Sequence, residues 1–191
     1  MRHPTAYCTC WPGATVWLTG LPSSGTSAIA EELVRRLVPE RRRVEVLGGG
    51  ENRAPLTADL GSGREDRIAG VRRIGLVAET LARNGILALV PVIAPQADAG
   101  TAVRRRHERS GTPFLEVHVT TPAEVCTERE VKGPYTRGQA TGNLTGPTGP
   151  TGADDPYEPP HTPDLAIPAH RQRPEESAAL LLGLLKERGL A

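Results

Sequence analysis

The chain has 191 residues, 38% of them hydrophobic, and this size and composition suit one domain with a full core. Its 23 Lys and Arg residues nearly balance its 22 Asp and Glu residues, so the charge indicates neither a nucleic-acid nor a membrane partner. No apolar run reaches the roughly 18 residues of a membrane helix, and the N-terminus lacks the apolar stretch of a signal peptide. We therefore expect a cytoplasmic protein with an N-terminal tail at residues 1–12 and one domain at residues 13–188.

Strand and helix patterns alternate along the chain. Residues 14–19 form a short apolar run typical of a buried strand, and a turn rich in Gly and Ser then leads into a helical pattern. This alternation predicts an α/β fold with a parallel sheet, helices on both faces and ligands at the carboxyl ends of the strands. The further predicted elements are helix 27–37, strand 43–47, helix 64–84, strand 86–93, helix 97–109, strand 114–119, helix 122–129, strand 164–167 and helix 174–188.

A long irregular segment at about residues 131–163 precedes the last predicted strand. A loop of this length in a compact domain is usually a functional lid or a disordered segment, and we predict a lid that folds back over the edge of the sheet. Within it, residues 146–152 read GPTGPTG, which is far too short for a collagen helix. We interpret this repeat as a flexible or polyproline-like spacer.

The turn after the first strand predicts a phosphate-binding loop. Residues 20–27 read GLPSSGTS and match the pattern G-x-x-x-x-G-K-[ST] at every fixed position except the lysine, which is replaced by Thr26. Backbone N–H groups and the helix N-terminus offer an anion site whatever the side chain, and Ser27 stands where a hydroxyl binds Mg²⁺. The candidate nucleotide-binding residues are Gly20, Ser23, Ser24, Gly25, Thr26 and Ser27. The alternative is a Gly-rich turn without a ligand.

Cysteine and histidine spacing does not favour another metal site. Cys8 and Cys10 form C-x-C without a second ligand pair, whereas a zinc site needs four ligands at paired spacing. They are interpreted as reduced cytoplasmic thiols in a mobile tail, and the third cysteine is Cys126. The five histidines form no i, i+4 pair, and we expect His118, on a predicted strand, to be a packed or edge residue.

Several stretches, in order and with similar spacing over roughly residues 13–188, resemble the adenylylsulfate kinase family. They are ATVWLTGLPSSGTSAIAEEL, RVEVLGGGENR, EDR followed by RRIGLVAETLARNGI, EVHVTTPAEVC, KGPY, NLTG and DDPYEPP. The resemblance implies a P-loop kinase-like fold and transfer of the ATP γ-phosphate to the 3′-hydroxyl of adenosine 5′-phosphosulfate, giving PAPS. It also implies Mg²⁺ as a cofactor, a role in cytoplasmic sulfate assimilation, and a homodimer.

The resemblance also implies roles for particular residues. Arg53 matches the arginine after the family's D-G-D motif and Arg67 that of its E-D-R motif, and both would hold anionic groups of the sulfonucleotide. Lys132 and Tyr135 match the K-G-L-Y element of the lid. Residues 155–157 match the D-P-Y sequence that closes the lid.

The chain departs from the family pattern at positions that belong to the active site. The D-G-D motif reads Gly48-Gly49-Gly50, so the carboxylates that would organise Mg²⁺ and activate the accepting hydroxyl are missing. Lysine is replaced by Thr26, and loss of one preorganised donor typically costs about 10²–10³ in rate. The other changes place Ser62 and Leu144 at the two adenine-stacking aromatics, Gly70 at an asparagine, and Ala94-Pro95-Gln96 at S-P-Y.

Three hypotheses remain open from the sequence. The first is an adenylylsulfate kinase that still transfers phosphate. The second is a non-catalytic relative that binds a nucleotide or acts through a protein partner. The third is a relative with another anionic ligand. Because the lysine and carboxylate positions are Thr26, Gly48 and Gly50, the sequence identifies no catalytic residue.

Overall fold

In a computed structural model, the described parts of the chain are residues 11–48, 55–61, 63–93, 97–129 and 157–191. Their strands are β1 Ala14–Gly20, β2 Val44–Val46, β3 Leu87–Val92, β4 Phe114–Val119 and β5 Leu165–Ile167. Their helices are α1 Thr26–Leu37, α2 Arg64–Arg83, α3 Ala97–Ser110, α4 Ala123–Arg129 and α5 Pro174–Glu187. Among these helices none is long and apolar enough to cross a membrane.

All five strands run parallel in one sheet with the order β2-β3-β1-β4-β5. The first strand in the chain therefore lies at the centre, between β3 and β4. Thr19, near its end, is in register with Val92 of β3 and His118 of β4. The carboxyl ends of three strands thus meet next to residues 20–27, which is where a sheet of this topology binds ligands.

Helices cover both faces of the sheet, as the alternating pattern predicts. Side chains of a strand point alternately to its two faces, and Val16 and Leu18 of β1 belong to the apolar core beneath α1 and α5. Trp17, between them, belongs to the second core, beneath α2 and α3. The prediction of a parallel sheet between two helical layers is confirmed. The boundaries of the domain and of the lid remain predictions, and residues 157–163 are the described part of the predicted lid.

Candidate active site

The phosphate loop runs from the end of β1 to the start of α1. Its backbone turns through two left-handed residues, Ser23 with φ 60° and Gly25 with φ 110°, before Thr26 begins the helix. The N–H of Ile29 donates to the carbonyl of Gly25 over 3.1 Å and begins the helical ladder. The first N–H groups of α1 therefore have no acceptor within the helix and are available to an anion.

Packing beneath the loop fixes its shape. A Cβ on Gly20 would lie 2.6 Å from Oγ of Ser24 and 2.9 Å from the carbonyl oxygen of Val119, so only glycine fits there. The hydroxyl of Thr121, just after β4, donates to the carbonyl of Ser24 over 2.7 Å. Oγ of Ser24 is buried and has no hydrogen-bond partner among the described residues. The loop thus rests on the ends of β1 and β4 and holds one unsatisfied hydroxyl.

The side chains at the start of α1 carry hydroxyl groups and no charge. Thr26 is half-buried and Ser27 is exposed, and the first turn of α1 holds no acidic residue. Within the described ranges, no group of three or more His, Cys, Asp or Glu side chains is placed to hold a metal ion. The side-chain oxygens that residues 26 and 27 offer are therefore hydroxyls, and that of Ser27 is the more exposed.

Gly48, just beyond β2, lies against Pro91 of β3. A Cβ added to Gly48 would overlap Cγ of Pro91, lie 2.9 Å from its Cδ and lie 3.3 Å from its carbonyl oxygen. The place where the family pattern has a carboxylate is therefore closed to any side chain by a neighbouring strand. The sequence shows only that the carboxylate is missing; the contact that closes its place crosses between strands.

A cavity of about 210 Å³ opens between the first turns of α2 and the segment before it. Arg67 and Gly70 lie in its wall, so the structure brings together two positions that the family pattern singles out. A Cβ on Gly70 would lie 3.3 Å from Cγ2 of Thr57 and 3.5 Å from Cδ1 of Leu60, so the missing side chain keeps the cavity open. The lining residues are Thr57, Leu60, Gly61, Asp66, Arg67, Gly70, Val71 and Ile93.

Sequence reasoning missed six residues of this wall. The spacing of Arg67, Gly70 and Val71 at i, i+3 and i+4 on a predicted helix is a signal that places them on one face. Thr57, Leu60 and Ile93 come from other segments, and no local pattern in the sequence connects them to this face.

Tyr157 covers the ends of β1 and β4. Its hydroxyl lies 3.3 Å from Oγ1 of Thr19, and its ring centroid lies 6.1 Å from that of His118. Burial raises the pKa of Tyr157 to about 12, against the opposing effect of the Thr19 hydrogen bond. His118 is half-buried and packs against this ring, as expected for a packed residue. Burial also lowers the pKa of His118.

Glu158 follows directly and holds a different element. Its Oε2 accepts a hydrogen bond of 3.0 Å from the backbone N–H of Ala97, the first residue of α3. A carboxylate at that point satisfies a free N–H group and interacts favourably with the helix dipole. Residues 157 and 158 therefore tie the described end of the predicted lid to two elements at the ligand-binding edge.

The remaining predicted positions lie outside the described residues. They are Gly50, Arg53, Ser62, Ala94-Pro95-Gln96, Lys132, Tyr135, Leu144, Asp155 and Pro156, with the spacer at residues 146–152. The thiols Cys8 and Cys10 also lie outside, whereas Cys126 is buried and its thiol donates to the carbonyl of Thr121 over 3.7 Å.

Comparisons with known proteins agree with this geometry. The probable adenylyl-sulfate kinase of Synechocystis sp. is 42% identical over 165 residues, which are 86% of this chain and 89% of that protein. A Mycobacterium tuberculosis APS kinase solved with AMPPNP and APS superposes with a TM-score of 0.81 at 37% identity, covering 92% of this chain and 98% of that one.

A third similar structure is the hexameric APS kinase from Thiobacillus denitrificans, with a TM-score of 0.70 at 28% identity. That match covers 95% of this chain but 30% of the other one. The family model described as adenylylsulphate kinase matches residues 12–168. The chain belongs to the adenylylsulphate kinase family.

Proposed function

We propose that this chain binds the phosphates of ATP at residues 20–27 and phosphorylates adenosine 5′-phosphosulfate far more slowly than a homologue that carries the loop lysine. The observation that carries the proposal is the phosphate loop itself: left-handed Ser23 and Gly25, and a helix N-terminus directly behind them. The names of the relatives supply the reaction and both nucleotides.

ATP binding at this loop relies on backbone donors. The N–H groups of the first turn of α1 point at the loop, and Oγ of Ser24 needs a partner because its buried hydroxyl has none among the described residues. These groups bind and orient the phosphates without a charged side chain. The hydroxyl of Thr26 adds one donor where lysine would add a positive charge.

The residues present fit Mg²⁺ as an ion that enters with ATP. Mg²⁺ usually keeps several waters and is held by few protein groups together with substrate phosphates, and Ser27 is an exposed hydroxyl at the right position of the loop. When bound, the ion would neutralise charge on the phosphates. Ser27 would hold it without help from position 48, where Pro91 leaves no room for a carboxylate.

The acceptor nucleotide would occupy the cavity beside Arg67. A guanidinium is suited to sulfate and phosphate oxygens, and the cavity sits at the carboxyl edge of the sheet between α2 and Ile93. By match to the family motifs, Arg53, Lys132 and Tyr135 would complete the binding of this nucleotide. Their part in the proposal rests on sequence alone.

The slow rate follows from two missing groups, one in the phosphate loop and one just beyond β2. Without a lysine at position 26, charge that develops on the transferred phosphoryl group is less well stabilised, and loss of one preorganised donor costs about 10²–10³ in rate. Without a carboxylate at position 48, nothing there accepts the proton of the attacking hydroxyl.

A second candidate function is nucleotide or anion binding without phosphoryl transfer. The contact between Gly48 and Pro91 favours this candidate. Because the ring of Pro91 occupies the space of a side chain at position 48, a single substitution to aspartate would not restore the carboxylate that catalysis needs. Both candidates share the loop as a phosphate site and differ only in catalysis.

The test measures PAPS formation from ATP, Mg²⁺ and adenosine 5′-phosphosulfate, together with calorimetric titration of ATP. We expect ATP binding, slow PAPS formation above a no-enzyme control, and a higher rate for Thr26→Lys. Thr80→Lys, an exposed site on α2, controls for an added positive charge. ATP binding without product from either the native protein or Thr26→Lys would establish the second candidate. No binding of ATP would reject the first candidate, and it would reject ATP as the ligand of the second.

A further inference from the structure

Pro91 interrupts the pairing between β2 and β3. The N–H of Leu87 donates to the carbonyl of Arg43 over 2.9 Å, and the N–H of Leu47 donates to the carbonyl of Leu89 over 2.8 Å. Continuing this parallel ladder by two residues requires an N–H at position 91 that donates to the carbonyl of Leu47. Proline has no N–H, and the β2–β3 register ends at Val46 and Leu89.

The same proline keeps its place in the sheet on the other side. Pro91 is in register with Leu18 of β1, and that pairing continues to Thr19 and Val92. In a parallel strand, alternate residues bond to opposite neighbours, so the missing N–H affects only the β2 side. A proline inside a strand is tolerated there because β2 ends at this point.

The ring of Pro91 fills the space beside the chain where it leaves β2. Leu87 and Leu89 face α1 and α5, so the ring at position 91 lies on that same face. Gly48 is its neighbour across the ladder, and a Cβ on Gly48 would overlap the ring. The face concerned is the one covered by α1, whose N-terminus forms the phosphate loop.

We propose that Pro91 determines the chemistry of this edge: it ends the β2–β3 ladder and takes the side-chain space of position 48, so Gly48 and Pro91 form one coupled pair. A carboxylate at position 48 is compatible with this fold only after Pro91 is replaced. A divalent cation that accompanies a nucleotide therefore meets no protein carboxylate from this position. The coupling follows from packing alone and holds whichever function the site performs.

The test is a double-mutant cycle on thermal unfolding with the native protein, Gly48→Ala, Pro91→Ala and the double variant. A lone methyl group at position 48 is enough to meet the ring, and such overpacking should lower the midpoint by about 5 °C or more. With alanine at position 91, the same Gly48→Ala change should lower the thermal midpoint by less than half as much. Equal losses in both backgrounds would overturn the proposal.

If Gly48→Ala gives no folded protein, recovery of folding in the double variant supports the coupling. Failure of the double variant, while Pro91→Ala alone folds, counts against it. Because unfolding needs no substrate, this outcome is independent of kinase activity.

A second measurement addresses the cation. Gly48→Asp combined with Pro91→Ala is compared with the uncharged pair Gly48→Asn and Pro91→Ala, each titrated with ATP in Mg²⁺ and in EDTA. The gain in ATP affinity from Mg²⁺ should be about tenfold larger with the aspartate. An equal gain in both would show that position 48 does not face the cation and would overturn that part of the proposal.

Discussion

The phenol oxygen of Tyr157 lies 3.3 Å from Oγ1 of Thr19, across 138 residues of sequence. Thr19 is buried and immediately precedes Gly20, where the phosphate loop begins. Tyr157 comes from the described end of the predicted lid. This contact therefore connects the segment that follows the lid to the strand that carries the loop, and its strength is measurable.

Replacing Tyr157 with Phe should lower the free energy of unfolding by about 1 kcal/mol, because the buried hydroxyl of Thr19 loses its partner while the aromatic ring stays. Thr19→Val removes the bond from the other side. In urea unfolding, the double variant should lose clearly less free energy of unfolding than the two single variants lose together. Additive losses would mean that the two hydroxyls do not interact in solution.

Asp164 joins β5 to the sheet through charged contacts. Its Oδ2 accepts hydrogen bonds from the backbone N–H of Glu116 over 2.9 Å and from the guanidinium of Arg104 over 2.8 Å. Asp164→Ala leaves a partly buried N–H and a guanidinium without this carboxylate and should cost about 2–3 kcal/mol of unfolding free energy.

The matched control for that change is Asp59→Ala. Asp59 also pairs with an arginine, Arg73, but its side chain is 65% exposed, and exposed ion pairs contribute little. Chemical unfolding of the two variants should show a clear loss for Asp164→Ala and little change for Asp59→Ala. Similar losses of unfolding free energy would contradict the view that burial determines how much these ion pairs stabilise the protein.

The order and bounds of the elements follow closely from sequence because the core is built from local apolar patterns. The predicted strand at residues 114–119 is β4, and the helix predicted at residues 97–109 ends one residue later, at Ser110. The runs that form β1, β3 and β4 are short and almost entirely buried, so their apolar character and length are enough to identify them.

The geometry of the site depends instead on register, which the sequence does not contain. Pro91 lies within a run predicted as a continuous strand, and only the alignment of β2 with β3 places its ring against Gly48. The contact between Thr19 and Tyr157 arises in the same way, from the position of β1 at the centre of the sheet. Motif matching identified which residues differ from the family pattern but not which neighbours fill the space.

His107 is a fully buried histidine with a hydrogen-bond partner at each ring nitrogen. Nδ1 lies 2.9 Å from the carbonyl of Val103, which only accepts, so Nδ1 carries a proton. Nε2 lies 2.9 Å from the hydroxyl of Thr15, which can donate to the neutral ring or accept from the charged one. Burial lowers the pKa of His107. The unfolded chain therefore binds a proton more readily than the folded protein below about pH 6.5, and stability falls as the pH falls through that region.

The measurement follows the thermal midpoint from pH 8 to pH 5 in the native protein and in His107→Gln. The variant should be less stable at pH 8, because its buried contacts are altered, but should lose less stability on acidification. His161→Gln, at an exposed histidine, should keep the native pH dependence. The same slope in His107→Gln as in the native protein would rule out His107 as the source.

Gly70 should separate stability from ligand binding. It lies inside α2, where alanine is favoured over glycine by about 1 kcal/mol, but a Cβ there approaches Thr57 at 3.3 Å and enters the cavity beside Arg67. Gly183→Ala in α5 is the matched control, because nothing lies within 4 Å of its added Cβ. Gly183→Ala should therefore stabilise the protein by the full helix preference and Gly70→Ala by less.

The same variant tests where the acceptor nucleotide binds. If the acceptor nucleotide occupies the cavity, Gly70→Ala should weaken its binding in calorimetry and leave ATP binding at the loop unchanged. Unchanged binding of both nucleotides in Gly70→Ala would place the acceptor elsewhere on this edge of the sheet.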